Sequence, residues 1–173
     1  VQQISLEDVA RLREGAVVVG LIAPAQHPEL LAALAAKRIT ALALDAVPRI
    51  SRAQALDVLS TMSNISGYRA VIEAADVYPG MFSGQVTAAG KTDPATVFVI
   101  GGGVAGLAAI GAASNLGARV RAFDVRPEAA EQIASMSGEA VIAPQAQQEV
   151  SADGYAKPLT PAQLAAASEV YAQ

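Results

Sequence analysis

Residues 95–117, ATVFVIGGGVAGLAAIGAASNLG, leave this chain few folds to choose from. A run of β-branched and aromatic residues stops at three consecutive glycines, and an alanine-rich helical pattern starts at once. Gly101, Gly103 and Gly106 fit G-x-G-x-x-G, and ARVRAFD (118–124) then supplies a second strand ending on an acid, Asp124, 18 residues after Gly106. Strand, glycine turn, helix, strand and acid at about this spacing make a dinucleotide fingerprint rather than a lone glycine match. Gly101 permits the tight turn, Gly103 lets backbone approach a pyrophosphate, and Gly106 lets helix and strand pack closely. The helix N-terminus offers unpaired N–H groups and partial positive charge to the same phosphates. Asp124 is suited to accept hydrogen bonds from ribose hydroxyls and would repel a 2′-phosphate, which favours NAD(H) over NADP(H). Arg126 keeps the alternative open, since an arginine beside the acid can accommodate that phosphate; it can equally sit at the entry of the helix that Pro127 opens.

The rest of the chain reads as more α/β. Ser5 with Asp8 predicts a capped helix through Arg13 that stops at Gly15. AVVVGLI (16–22) predicts a strand buried on both faces, PELLAALAAKR (28–38) a helix with Leu30, Leu31 and Leu34 on one face, and ITALALD (39–45) a second, parallel strand. A long helix is expected from Arg52 to about Tyr78, interrupted at Gly67. YPGMFSGQVTAAGKTDP (78–94) reads as a connector, PEAAEQIASM (127–136) as a helix and EAVIAP (139–144) as a third strand. The polar stretch 145–161 is long enough to be either functional or disordered. The fold expected is α/β: two Rossmann-like lobes with parallel sheets, each incomplete in this chain and joined by a long helix. The expected divisions are 1–78 with the linking helix, 79–94 as connector, and 95–173 as the first half of a nucleotide-binding lobe with a mobile loop at 145–161. Both ends look cut: the first residues begin mid-pattern and LAAASEVYAQ stops while still helical.

Composition excludes several classes. Hydrophobic residues make up 53% of the chain and charged ones 16%, so a well-buried core is expected. A net charge of −4 without a basic run gives a nucleic-acid backbone nothing to bind. With no cysteine and the single His27, neither a thiolate nor a histidine cluster can hold a metal, and none is expected. No apolar run approaches the roughly 18 residues of a membrane span, and the first residues do not resemble a signal peptide.

PRISRAQALDVLSTMSN (48–64) is the other unusual stretch. Ser51 and Gln54 fit a capping box, Asp57 can be a surface carboxylate, and Ser60 can bond back to a carbonyl. Yet Gln54, Asp57 and Ser60 recur every three residues on one helical face, and Arg49 reaches the same end. A primary carboxamide, the reactive end of a nicotinamide, needs donors and acceptors together. Arginine donates, aspartate accepts, and serine and glutamine do both.

PRISRAQALDVLSTMSNISGYRAVIEAA, GQVTAAGK, the glycine-rich run through PEAAEQ and DGYAK (153–157) together resemble the NAD(H)-binding domain of proton-translocating NAD(P) transhydrogenase, in the alanine dehydrogenase/transhydrogenase superfamily. The resemblance runs through nearly the whole chain. It implies that Arg49, Asp57 and Ser60 hold the nicotinamide carboxamide while Gln54 reaches the second nucleotide, which makes these four the candidate catalytic residues. It implies that Gly101, Gly103, Val104, Ala105 and Gly106, with Asp124, Val125 and Arg126, hold the pyrophosphate and adenosine ribose, and that Tyr155 folds over the bound nucleotide. The implied reaction is direct hydride transfer from NAD(H) here to NADP(H) on a partner domain, with proton pumping in a separate membrane domain. It further implies a homodimer and a soluble domain at the cytoplasmic face of a bacterial inner membrane, or the matrix face in mitochondria. The family's domain is longer at both ends, so the chain reads as an incomplete piece. Two alternatives stand beside this: an alanine-dehydrogenase-like enzyme, which would need a histidine and a lysine in its first lobe, and a non-catalytic NAD(H)-binding module.

Overall fold

Short apolar runs separated by glycine, proline and capping residues divide the chain into alternating strands and helices. The computed structural model describes residues 3–48, 50–148 and 158–171. They fall into two compact units, 1–61 and 62–173.

In the first unit Ser5 starts helix α1 (Leu6–Arg11) through a capping box with Asp8: the Asp8 N–H donates to Ser5 Oγ at 3.1 Å, and the Ser5 N–H donates to Asp8 Oδ2 at 2.9 Å. Strand β1 (Val17–Gly20), helix α2 (Pro28–Ala36) and strand β2 (Thr40–Ala43) follow as a β-α-β unit, with β1 and β2 parallel and Val17 opposite Thr40. Val9, Ile22, Leu30 and Leu34 form the core, against one face of the pair. The expectation of a strand buried on both faces is therefore corrected. Val18 packs inward while Val17 and Val19 remain 66% and 60% exposed, because α1 and α2 cover one side only. Leu31 is also turned outward; one residue on from Leu30 lies about 100° round the helix, outside the i, i+4 stripe.

The long helix expected from Arg52 is two pieces. Ser51–Leu56 is a 3-10 helix, and α3 proper is Val58–Val77. Asp57 breaks the run with ψ 79°, outside the helical region. The division between the compact units falls inside α3, after Thr61, rather than at its end. Within the second unit a Cβ on Gly67 would overlap the carbonyl oxygen of Ala105 and come within 2.7 Å of its carbon, so the later part of α3 lies directly on the backbone at residue 105.

The second unit holds a parallel sheet in the order β5 (Thr96–Ile100), β6 (Arg119–Phe123), β7 (Glu139–Ala140), preceded by a small hairpin of β3 (Gln85–Thr87) and β4 (Gly90–Thr92). That hairpin lies in the stretch expected to be a plain connector. It is built on a tight turn closed by Gly90 at φ +133°, a conformation in which a side chain is strained. β5 (Thr96–Ile100), α4 (Val104–Asn115), β6 (Arg119–Phe123), α5 (Ala129–Ser135) and β7 (Glu139–Ala140) then alternate. Pro127 lies just before α5 and not within its first turn, while the third strand is shorter than EAVIAP.

The alternation of β5 and β6 is used on both faces. Val97, Val99, Val120 and Ala122 pack with Val71, Ile110 and Ile133 on one side. Phe98 and Phe123 point to the other, where helix α6 (Pro161–Tyr171) brings Ala167, Val170 and the Tyr171 ring. Tyr171 meets Phe123 and Phe98 edge-on at 5.9 and 6.3 Å. Phe123 is 1% exposed, a burial that contributes about 1.5–3 kcal/mol. Thr160 and Gln163 cap α6 reciprocally, the Gln163 N–H donating to Thr160 Oγ1 at 3.3 Å and the Thr160 N–H to Gln163 Oε1 at 3.0 Å.

Gly67→Ala is expected to destabilise the protein by about 1–3 kcal/mol, because the contact it meets is backbone that cannot swing aside. Gly20→Ala, where a Cβ meets nothing within 4 Å, should stay within about 0.5 kcal/mol of wild type. Equilibrium urea unfolding of the two variants checks the contrast.

Candidate nucleotide site

The glycine turn is built from backbone. Gly101 leaves β5 at φ +104°, and its N–H donates to the Phe123 carbonyl at 2.7 Å, extending the β5–β6 ladder to the edge of the turn. Gly103 is the N-cap of α4 in extended conformation, with no side-chain bond, and a Cβ on it would meet nothing within 4 Å. Gly103 thus fronts open space at the start of α4, where the first N–H groups of the helix lack intrahelical acceptors by construction. Gly106 faces the other way: a Cβ there would overlap the Gly101 carbonyl oxygen. The three motif glycines thus differ in conformation and surroundings: a left-handed φ at Gly101, open space at Gly103 and close backbone contact at Gly106.

Gly102, the unassigned position of the motif, has its own role. Its N–H donates to Asp124 Oδ2 at 2.6 Å, and a Cβ on it would lie 3.1 Å from Ala129 Cβ and 3.3 Å from Ile133 Cδ1. Asp124 therefore ties the end of β6 to the turn after β5. Its other bonds come from Arg126: the backbone N–H to Oδ1 at 2.8 Å, Nε to Oδ1 at 2.9 Å and Nη2 to Oδ2 at 3.1 Å. Burial pushes the Asp124 carboxyl up, but the Arg126 guanidinium and the N–H groups of Arg126 and Gly102 outweigh it and hold the group below the usual carboxylate value. Val125 follows, and its carbonyl accepts the Gln148 N–H at 2.7 Å. Gln148 was not singled out from sequence; its Oε1 is buried without a partner among the described residues.

In the first unit Gln54, Asp57 and Ser60 come together. With Pro48, Ile50, Ser51 and Ala53 they line an open cavity of about 260 Å³. The capping box expected at Ser51 and Gln54 is corrected, since no side chain caps the 3-10 helix. The cap belongs to Asp57, whose Oδ1 accepts the Ser60 N–H at 2.9 Å and whose Oδ2 accepts the Ser60 hydroxyl at 2.6 Å. The Ser60 hydroxyl thus spends its hydrogen on Asp57 while Ser60 lines the cavity. Asp45 performs a related task at the end of β1, accepting the N–H groups of Ile22 at 3.0 Å and Ala23 at 2.6 Å.

Arg49, Tyr155 and Lys157 lie outside the described residues. His27 is the N-cap residue of α2 and pairs through Nδ1 with Glu29 at 3.2 Å. Among the described residues no three His, Cys, Asp or Glu side chains are grouped to hold a metal, and no helix is long and apolar enough to cross a membrane.

Family models match both halves of the chain: "Alanine dehydrogenase/PNT, N-terminal domain" over residues 1–66 and "Alanine dehydrogenase/PNT, C-terminal domain" over 70–160. NAD(P) transhydrogenase subunit alpha of Haemophilus influenzae is 57% identical over 96% of this chain, which spans 33% of that relative. NAD(P) transhydrogenase subunit alpha of Cereibacter sphaeroides is 54% identical over 89% of the chain, which spans 30% of it. The crystal structure of transhydrogenase from Sinorhizobium meliloti superposes with a TM-score of 0.76 at 42% identity, covering 86% of this chain and 46% of that one. The chain thus spans about a third of the length of these two curated relatives, 33% and 30%.

Asp124 is held ionised by the fold, so its contribution to stability is present in full above the ordinary carboxylate range and is lost as pH falls through its lowered value. Asp124→Asn should cost about 1–3 kcal/mol at neutral pH. The gap to wild type should close on acidification below that range. Urea unfolding of both proteins as a function of pH measures it, and a gap independent of pH would remove the ionised carboxylate as its source.

Proposed function

The chain belongs to the alanine dehydrogenase/PNT family, and we propose that it forms the NAD(H)-binding portion of an NAD(P) transhydrogenase alpha subunit. The observation that carries this reading is the backbone cradle at 101–106, where Gly103 leaves open space and Asp124 anchors the turn through Gly102. Such a cradle suits a pyrophosphate, which needs N–H donors at close range and tolerates no side chain between. Val104 and Ala105 present the first helical N–H groups, and Asp124, Val125 and Arg126 form the adenosine side. In the first unit Gln54, Asp57 and Ser60 supply the mixture of donors and acceptors that a carboxamide requires. Arg49 and Tyr155 belong to the same proposal by their motifs.

The nucleotide supplies the hydride itself. The residues bind and orient: Asp57 and Ser60 fix the amide plane of the nicotinamide, and Gln54 bridges to the NADP(H) of a partner domain. Hydride transfer between two nicotinamide carbons moves no proton at the reacting centre, so the barrier falls by holding the rings in near-attack geometry. The proposal extends to a homodimer working with an NADP(H)-binding domain and a membrane domain that moves protons. This chain would then lie in a soluble domain on the cytoplasmic face of a bacterial inner membrane or the mitochondrial matrix face.

Gln54 provides the test, in the full-length protein assembled with its partner subunits. Gln54→Asn should lower NADH-to-NADP⁺ transfer by about tenfold or more while NADH affinity changes less than about threefold, the pattern of an interaction made mainly in the reacting complex. Full turnover by the variant rejects the bridging role. NADH-dependent amination of pyruvate by the wild-type protein would move the assignment to the alanine dehydrogenase branch of the family.

A further inference from the structure

Asp124 has two oxygens and receives four donors. An ionised carboxylate offers about four lone-pair positions, so this one is saturated. Two of the donors, the N–H groups of Gly102 and Arg126, are fixed backbone of the glycine turn and the end of β6. The other two belong to one side chain, that of Arg126. The Arg126 guanidinium sets Nε against Oδ1 and Nη2 against Oδ2, one donor on each oxygen, which is how two vicinal ribose hydroxyls would present themselves. The pair is largely withdrawn from water, with the Arg126 and Asp124 side chains 20% and 9% exposed, so solvent screens it less than a surface pair.

We propose that Arg126 determines nucleotide specificity at the adenosine-ribose subsite by occupying the two positions on Asp124 that a ribose diol needs, so that NAD(H) binds by exchanging its hydroxyls for the guanidinium. The inference rests on the NAD(H) reading above. Two consequences follow from the exchange. Arg126 competes with the ribose, so NAD(H) affinity is the difference between two sets of charge-assisted bonds. The displaced guanidinium also stays tethered two residues from Asp124, where it offers a cation to a 2′-phosphate. Asp124 alone repels that phosphate; Asp124 with Arg126 is neutral as a pair. Arg126 thus weakens the discrimination that the acid would otherwise impose.

Calorimetric titration of the full-length protein with NADH and NADPH tests this in wild type, Arg126→Ala, Arg126→Lys and Asp124→Asn. Arg126→Ala should bind NADH about three- to tenfold tighter and NADPH at least about threefold more weakly, so the preference for NADH widens. Arg126→Lys keeps the charge but loses the fork and should fall between, and it serves as the deciding variant if Arg126→Ala does not fold. Weaker or unchanged NADH binding in both arginine variants overturns the exchange: the guanidinium would be a direct contact in the first case and a bystander in the second. Asp124→Asn separates the two levels. If it weakens NADH while the arginine variants do not tighten it, the ribose assignment stands and the exchange falls. If it leaves NADH affinity unchanged, or wild type binds neither nucleotide, the subsite assignment fails and the exchange with it.

Discussion

The bond from the Gly102 N–H to Asp124 is the contact on which the second unit's site depends. It joins the end of β6 to the turn after β5, two loops that the parallel ladder alone leaves independent beyond Gly101. A carboxylate that accepts backbone N–H groups from both loops fixes their relative position with few degrees of freedom left. The open face of Gly103 and the axis of α4 are set by that position. The same carboxylate is the group proposed to read the ribose, so the anchoring of the turn and recognition of the nucleotide are one interaction seen from two sides. This explains why the acid falls at the end of the second strand: only there does it reach the turn and the solvent edge together.

Around this anchor the site is made by close approach of backbone to backbone. Gly106 lies on the Gly101 carbonyl and Gly67 on the Ala105 carbonyl, so the start of α4 is held from the strand side and from α3. Side chains at either position would push the helix N-terminus away from where the phosphate is proposed to sit. The packing is tight at Gly106 and Gly67 and open at Gly103, where the pyrophosphate is proposed to sit. α4 is rich in small residues; Ile110 and Ala113 are fully buried, and Leu107, Ala109 and Ala112 pack against the same core.

The features of this arrangement that were legible in the sequence are those decided by local chemistry. The β5–turn–α4–β6–Asp124 order follows from apolar runs, glycines and a terminal acid, each of which has one physical use in that context. The capped start of α1 was equally readable, because Ser5 and Asp8 satisfy each other within three residues. What failed was decided at a distance. Val17 and Val19 read as core because their strand is uniformly apolar, yet burial depends on whether a second layer covers them, and no periodicity reports that. Ser51–Gln54 read as a capping box, Asp57 as a surface carboxylate and Ser60 as bonding back to a carbonyl, whereas in the structure Asp57 caps Ser60. The cap that forms is the one followed by an uninterrupted α-helix, a choice between competing local solutions that pattern alone leaves open. The Gly102–Asp124 bond was invisible, since the motif assigns position 102 no residue and the contact spans 22 residues.

The candidate sites of the two units differ in what they are made of, and the proposed function gives them different tasks. The cradle of the second unit is backbone, which binds any pyrophosphate and discriminates little. Selectivity must then come from side chains beside it, and the Asp124–Arg126 pair is the charged group in that place. The cavity of the first unit is lined by side chains, and its aspartate also caps α3. A carboxylate engaged by its own helix N-terminus is oriented before any ligand arrives, so little ordering entropy remains to be lost when an amide meets it. Rigid presentation of this kind is what a reaction driven by ring alignment rather than by acids or nucleophiles requires. On the proposed reading, anchoring and orientation are thus separate physical jobs, one given to N–H groups that mutation can scarcely alter and the other to three side chains that it can.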